Sequence, residues 1–196
     1  SLIGQPLAVS IGNDKGGKRV ICAIVTEAAQ LAADGGFVMY EVRLQDTLAI
    51  LRQRSTWRVF RNQSIVDITA TILQEHRTEN RILTRAFQIT TRALRREYVS
   101  REFTMQAGES DYAFLTRLWR REGICWYFSH ALQDGWPVHT LHLCDKRPLW
   151  ESNPSASVRF HRAAATEKSD TITSWEAHRQ IRPGSYQSAS SDYKSA

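Results

Sequence analysis

The sequence predicts an α+β fold, in which antiparallel strands and two capped helices share an apolar core. Three stretches carry this prediction. Residues 7–44 alternate apolar with polar or small side chains between glycine-rich turns, which is typical of a strand meander. Ser64 precedes a run of residues with helical periodicity. Residues 96–128 predict a strand, a capped helix and a second strand in close succession.

The amino-terminal residues predict three antiparallel strands. The first strand begins after Pro6, and a turn cluster follows it at residues 12–17. Residues 19–28 predict a long second strand, and residues 37–44 predict a third, with a glycine-rich turn at residues 33–36 between them. Because the connections are short, we expect the three strands to be neighbours in one sheet.

The middle of the chain predicts one clear helix and two ambiguous segments. Residues 47–53 fit either a short helix or a strand, and residues 82–91 mix polar and apolar side chains without a dominant period. Ser64 opens a helix that is expected to end near His76, with Asp67 three residues on, as in a capping box. The apolar face of this helix is predicted to consist of Ile65, Ile68, Ile72 and Leu73.

A second helix is predicted between two strands. Residues 97–106 predict a half-buried strand, which the turn-forming residues 107–109 are expected to end. Ser110 can cap the helix, and Asp111 lies in its first turn, where the helix dipole favours negative charge. Gly123 is suited to end it, since glycine readily adopts a left-handed backbone conformation. The buried face is predicted to be Phe114, Leu115, Leu118 and Trp119.

After this helix the sequence predicts a β-hairpin over residues 124–144, with its turn at residues 133–135. Cys125 and Cys144 can face each other across the hairpin, although the sequence does not set the register to one residue. The polar residues 151–155 mark a boundary. Strands of another sheet are predicted beyond it, at residues 158–160, at residues 171–178 and from residue 186 onward.

The composition indicates a globular chain with a basic balance. Of its 196 residues, 42% are hydrophobic and 23% are charged, and the net charge is +6. This charge suggests an acidic partner or a solvated basic surface, so a nucleic-acid-binding module is one alternative function. Three cysteines without CxxC spacing argue against a disulfide framework and a zinc ribbon. We expect neither a signal peptide nor stable membrane insertion, because no long apolar run is present.

No motif in the sequence predicts an enzyme. The chain lacks a GxSxG elbow, and residues 16–18 lack the spacing and following helix of a phosphate-binding loop. The acidic candidates are interpreted as strand-edge or helix-cap residues; they are Glu97, Glu102, Glu109 and Asp111. The spacing of three histidines does not converge on a metal ion; they are His130, His139 and His142. We therefore expect no catalytic, cofactor-binding or metal-binding residues.

Two runs of residues resemble the VgrG family, the spike proteins of type VI secretion. They are residues 58–76, RVFRNQSIVDITATILQEH, and residues 96–130, REYVSREFTMQAGESDYAFLTRLWRREGICWYFSH. Within the second run, residues 109–128 are the most family-specific part. Residues 21–30 look like a strand of the family's first barrel, and residues 171–183 followed by residues 186–194 look like the passage into its second barrel. The resemblance therefore covers nearly the whole chain.

The resemblance implies a structural protein that is similar to the baseplate hub of contractile phage tails. In this family three copies form a ring of tube-type β-barrels that adapts the hexameric Hcp tube to a trimeric spike. Residues 1–60 are then expected to be part of the first hub barrel, residues 61–152 an inserted α/β subdomain, and residues 153–196 the start of the second barrel. The chain is expected to be a fragment of the hub.

The resemblance also implies partners and a location. The expected partners are further copies in a homotrimer of the full-length protein, the Hcp tube, and spike-tip and effector proteins that bind beyond Ala196. No cofactor and no nucleic acid are expected. The protein is expected to assemble in the cytoplasm and to leave through the type VI apparatus, for cell puncturing and effector delivery. The alternatives are a baseplate hub protein of a contractile phage or tailocin and a basic nucleic-acid-binding module.

Overall fold

The computed structural model describes residues 2–13, 16–146, 157–162, 169, 171–181, 183–185 and 187. The chain divides into two compact units, Ser1–Glu151 and Ser152–Ala196. The helices and strands of the described residues lie in the first unit, which confirms the α+β prediction at that level. The assignment of residues 1–60, 61–152 and 153–196 to barrel and insert regions stays a prediction.

The amino-terminal sheet is the predicted meander. Its strands are β1 (Pro6–Gly12), β2 (Lys18–Asp34) and β3 (Phe37–Gln45), paired antiparallel in the order β1-β2-β3. Residues 22–25 of β2 are buried on both faces of the sheet, whereas the described side chains at residues 27–32 are exposed. The long second strand therefore has a buried base and a solvent-exposed outer part.

The ambiguous residues after β3 form a 3-10 helix, Thr47–Arg52. Asp46 caps it, because its side chain accepts a hydrogen bond from the backbone N–H of Leu48 at 2.9 Å. Leu48 and Leu51 point into the core, which requires the tight helical turn and disfavours a strand at this position.

A two-stranded antiparallel sheet follows, made of β4 (Ser55–Gln63) and β6 (Arg101–Ser110). The prediction that residues 107–109 end the second strand is wrong. The strand continues to Ser110 because a register shift between Ser55 and Trp57 accommodates an extra residue, and Gly108 in β6 takes a positive φ of 72°. The turn-forming residues thus form a bulge and do not end the strand.

The predicted start of that strand at residue 97 is also wrong. The backbone N–H groups of Arg95 and Arg96 donate to Oδ2 of Asp145 at 2.8 and 2.7 Å, and the hydroxyl of Tyr98 donates to the same atom at 3.1 Å. These bonds satisfy the backbone locally, so strand pairing begins only at Arg101.

The first α-helix, α1 (Ile65–Glu79), starts at the predicted residue. Ser64 and Asp67 form a full capping box. The helix continues almost one turn beyond the predicted end at His76, and the backbone N–H of Asn80 donates to the carbonyl oxygen of His76 at 3.0 Å. The uncertain residues that follow form α2 (Arg81–Ala86) and β5 (Phe87–Ala93).

The predicted helix and hairpin are confirmed as α3 (Asp111–Arg121), β7 (Cys125–Gln133) and β8 (Trp136–Cys144). Ser110 accepts a hydrogen bond from the N–H of Ala113 at 3.2 Å, as a cap should. Strand β5 pairs parallel with β8, so the sheet order is β5-β8-β7. The sequence did not predict this parallel neighbour.

The main core lies between the helices and the β5-β8-β7 sheet. It contains the predicted apolar faces of α1 and α3, with Phe114 stacked on Phe60 at 5.7 Å between ring centroids. The indole N–H of Trp119 donates to Thr69 Oγ1 at 2.9 Å, so the largest buried side chain keeps its polar atom satisfied. The helices of the described residues are too short or too polar to cross a bilayer.

The second unit is described only in part. Phe160 and Ile172 form a parallel bridge, with His161 N–H donating to Ile172 O at 2.9 Å. Residues 173–178 are not in a strand, so the prediction of a continuous strand there is wrong. Among the described residues of this unit no neighbouring strand runs beside them to pair their backbone. The strand predicted from residue 186 onward lies largely outside the described residues.

Candidate functional site

The histidines considered for a metal site are each engaged with protein groups. His139 Nε2 accepts the backbone N–H of Thr47 at 3.1 Å, and His142 Nε2 lies 2.7 Å from Ser129 Oγ. His130 Nδ1 lies 3.0 Å from the carbonyl oxygen of Cys22 on β2. No group of three potential metal ligands occurs among the residues that the structure describes.

His139 is buried where the 3-10 helix meets the hairpin. Burial, with a smaller effect of nearby His130, lowers the pKa of His139 to about 4. The ring is therefore neutral near pH 7. Because its Nε2 accepts a hydrogen bond from Thr47, His139 joins strand β8 to the 3-10 helix that follows the first sheet. His139 therefore has a structural role.

The remaining motif residues are also structural. Residues 16 and 17 belong to the turn between β1 and β2, where Gly17 N–H donates to Asn13 Oδ1 at 2.6 Å, and Lys18 is the first residue of β2. A strand follows them, and a phosphate-binding loop needs a helix there. Glu109 pairs with Arg117 at the protein surface, with Arg117 Nε donating to Oε2 at 3.2 Å.

Asp111 differs most from its predicted role. The sequence predicts a helix-cap residue in the first turn, and Asp111 does lie there, but its side chain is fully buried. Oδ2 accepts from Arg54 Nε at 2.6 Å and lies 2.7 Å from His76 Nε2, and Oδ1 accepts from Gln106 Nε2 at 2.8 Å. Burial alone would raise the pKa of Asp111, but hydrogen bonds from His76, Gln106 and Arg54 lower it to about 2.

The Asp111 network extends to the surface through Glu75. Glu75 Oε2 accepts from Arg54 Nη2 at 2.6 Å and from Arg58 Nη1 at 2.8 Å, and Arg58 Nη2 lies 3.4 Å from Asp111 Oδ1. The network links β4, α1, β6 and α3. Its central carboxylate, that of Asp111, is not exposed to solvent, so Asp111 contributes to the fold as the buried centre of the network.

The surface of the unit carries two exposed apolar areas. The first, which we call the Trp57 face, is the outer side of the β4–β6 sheet. Val59 lies opposite Met105 and Trp57 opposite Ala107, so alternate residues of both strands share this side. Trp57 is 74% exposed, and Val59, Phe103 and Met105 are also exposed. The opposite side carries buried Phe60 and Gln106.

The second area is the outer part of the β2–β3 hairpin, residues 27–43, which we call the ribbon. Phe37 is 82% exposed and Tyr40 is 69% exposed. Neighbouring side chains point to opposite faces of a strand, yet Met39 and Tyr40 are both exposed, so neither face of the ribbon is covered here. A bare two-stranded ribbon is marginally stable in water, and large exposed apolar areas mark interaction sites.

A sequence model of the phage tail baseplate hub (GPD) family matches residues 1–196. The chain belongs to this family. Two curated relatives of the hub chain are spike proteins from Pseudomonas aeruginosa. Type VI secretion system spike protein VgrG1b is 28% identical over 186 residues, which is 94% of this chain and 23% of the relative. VgrG4b is 38% identical over 148 residues, 74% of this chain and 17% of the relative. The hub chain thus spans about a quarter or less of these relatives' length.

Two solved structures share the fold of the hub chain. The Escherichia coli c3393 protein, a component of the type VI secretion system with structural similarity to T4 bacteriophage tail proteins gp27 and gp5, has a TM-score of 0.61 at 24% identity, covering 84% of this chain and 41% of that one. A chain of the half-lidded Francisella PdpA–VgrG complex has a TM-score of 0.52 at 15% identity, covering 73% and 21%. At these identities the superpositions show the fold alone.

These comparisons confirm the resemblance to VgrG spike proteins. They support a structural hub or spike role and do not favour the alternatives.

The sequence did not predict the Asp111 network or the Trp57 face. The partners of Asp111 lie up to 57 residues away, so no local pattern shows them. The Trp57 face did have a signal. Trp57 and Val59 lie on one side of β4, and Phe60 lies on the other, so both sides of the strand carry apolar residues. A strand with only one buried side needs apolar residues on that side alone.

Proposed function

We propose that this chain is the hub segment of a trimeric type VI secretion spike, adapting the hexameric Hcp tube to the spike for cell puncturing and effector delivery. Membership of the baseplate hub family and similarity to VgrG spike proteins support this proposal. The observation that carries it is the ribbon, because its exposed aromatic side chains on both faces suit a protein that is completed by assembly.

The proposal includes a tube-type barrel. The β1-β2-β3 meander would form part of the wall of the first hub barrel, and residues 153–196 would begin the second barrel. A closed barrel removes the unpaired edges that β1 and β3 present in the described part of the chain. In the ring, the ribbon would pack against neighbouring barrels of the homotrimer or against Hcp.

The remaining partners and the route belong to the same proposal. Spike-tip and effector proteins would bind through regions beyond this chain; a VgrG protein forms a complex with PdpA in Francisella. The parent protein would assemble in the cytoplasm and leave through the secretion apparatus. We propose no enzymatic activity, and the structural engagement of Asp111 and His139 supports that view.

Export of the full-length parent protein tests the proposal. Phe37→Ser with Tyr40→Ser should lower the amount of spike protein released into the medium by about tenfold, since loss of aromatic anchors at an interface weakens it strongly. Leu132→Ser, on exposed β7 and equally polar, is the matched control and should be released normally. Export of the double variant at the parent's level, with the protein folded, would contradict the role of the ribbon.

A further inference from the structure

Two cysteines lie opposite each other at the open end of the hairpin. Cys125 is the first residue of β7, Cys144 is the last residue of β8, and the strand register pairs them directly. Both thiols are free. The pairing follows from the two-residue turn Asp134–Gly135. This turn places Gln133 opposite Trp136 and thereby sets the register of all the following pairs of the hairpin.

The backbone geometry of this pair suits a disulfide. Directly opposed residues of antiparallel strands have Cα atoms roughly 4.5–5.5 Å apart, within the range of roughly 4.4–6.8 Å that disulfides span. Their side chains project from the same side of the sheet. Sγ of Cys144 already leans toward β7, at 3.5 Å from the carbonyl oxygen of Cys125.

The two thiols differ in access. Cys125 is exposed, whereas Cys144 is 2% exposed. Burial, with smaller effects of Cys125 and Asp145, raises the pKa of the Cys144 thiol. The exposed thiol can therefore meet a reagent in solution, and the buried one is positioned to attack only a neighbour.

Cys22 provides an internal comparison. It is as buried as Cys144, and its Sγ lies 3.4 Å from the carbonyl oxygen of Ala131. Its register partner on β1 is Ala8, so no sulfur lies opposite it there. Cys22 and Cys144 are thus both buried, but only Cys144 has another cysteine opposite it in the strand register.

We propose that Cys125 and Cys144 are a modification site, a thiol pair that closes to a cross-strand disulfide by exchange with a small-molecule disulfide such as oxidised glutathione. The Cys125 thiolate attacks one sulfur of the oxidant and displaces one glutathione thiolate. Cys144 then loses its proton to solvent and attacks the Cys125 sulfur, which releases the second glutathione. Two protein thiols are oxidised, and one glutathione disulfide is reduced to two thiols.

The bridge would act where the chain leaves the hairpin. Cys144 is followed by Asp145, whose carboxylate holds the backbone N–H groups of Arg95 and Arg96. A disulfide between Cys125 and Cys144 would therefore fix Asp145, and the two backbone N–H groups bonded to it, to the end of β7. Disulfides persist in oxidising compartments, and a secreted spike leaves the reducing cytosol; this last step rests on the proposed function, whereas the thiol chemistry does not.

The test treats the full chain with oxidised glutathione, digests it without reduction and measures peptide masses. We expect a peptide that joins Cys125 to Cys144 and lacks two hydrogen atoms, in the wild-type chain and equally in Cys22→Ser. The linked peptide should be absent from Cys125→Ser and Cys144→Ser. A stable glutathione adduct on Cys125 with Cys144 still alkylatable, or disulfides only between chains, would overturn the proposal.

Thermal unfolding provides the second measurement. The midpoint temperature of unfolding should be about 5 °C higher for the oxidised chain than for the reduced chain, and reduction should reverse the shift. Cys22→Ser should keep the shift and Cys125→Ser should lose it. An unchanged midpoint in the bridged wild-type chain would remove the stabilising role. None of these outcomes depends on export, so they are separable from a failure of the ribbon experiment.

Discussion

Arg54 forms two hydrogen bonds with Asp111, one through its backbone and one through its side chain. Its carbonyl oxygen accepts the backbone N–H of Asp111 at 3.0 Å, and its Nε donates to Oδ2 of the same residue at 2.6 Å. The loop before β4 is thereby fixed to the first turn of α3. Since the carboxylate is fully buried, these bonds form in a low-dielectric environment, where a charge without its partner is costly.

Asp111→Asn should therefore destabilise the fold strongly. The variant leaves two guanidinium groups and His76 around a neutral amide, and the free energy of unfolding should fall by about 3–5 kcal/mol. Urea denaturation followed by tryptophan fluorescence measures it. The control is Glu109→Gln in the exposed pair with Arg117, which should cost less than about 1 kcal/mol. Similar effects of both substitutions would show that the network is not an organising element.

The same carboxylate should make stability depend on pH in the acid range. Its pKa is about 2 in the folded chain, below the ordinary 3.8, so protons bind the unfolded state first. Its contribution of about 2 kcal/mol is complete above about pH 5 and is lost as the pH falls to about 2. Urea denaturation at stepwise pH should show this slope, and Asp111→Asn should show a smaller one. Equal slopes in both chains would assign the pH dependence to other acids.

His139 should produce a separate slope at higher pH. Its pKa falls to about 4 in the folded chain from 6.5, so between these values only the unfolded state gains the proton. Stability should decrease as the pH falls from about 6.5 to about 4, by roughly 3 kcal/mol. His139→Gln keeps an acceptor for the N–H of Thr47 but cannot titrate, and it should flatten the curve in this window. A variant curve parallel to the wild-type curve would contradict the assignment.

Gly108→Ala should destabilise the fold for two reasons. The residue has a φ of 72°, which side-chain-bearing residues adopt at a cost, and a Cβ there would lie 2.8 Å from the ring of Trp57. We expect a loss of about 1–3 kcal/mol and a shifted tryptophan emission as the ring moves. Gly12→Ala is the control, because no atom lies within 4 Å of a Cβ at that position. Wild-type stability of the Gly108 variant would mean that the bulge can relax.

The sequence was sufficient for elements that have their own local signals. Ser64 with Asp67 gave the start of α1, Ser110 gave the start of α3, and the turn before Trp136 gave the hairpin. These signals depend on backbone groups within a few residues, which is why they can be recognised without the rest of the chain.

Long-range features could not be predicted in this way. Residues 107–109 have turn-forming side chains, but pairing with β4 converts them into a bulge within a strand. Asp111 has the sequence context of a helix start, but Arg54 and His76, which are distant in the sequence, bond to its side chain in the interior. The Trp57 face and the ribbon differ again, since their exposure is known only when the packing of every neighbour is known.

The parallel pairing of β5 with β8 has a consequence for the order of folding. Phe87 pairs with His139, about fifty residues later, whereas β7 and β8 are joined by a two-residue turn. Loop-closure entropy favours the local hairpin, so β7 and β8 should pair first and β5 should join the finished hairpin afterwards. During synthesis, β5 therefore emerges long before its partner, and its unpaired edge must wait for Cys144 to leave the ribosome. Slow translation between the two strands would prolong the period in which this edge can pair with another chain.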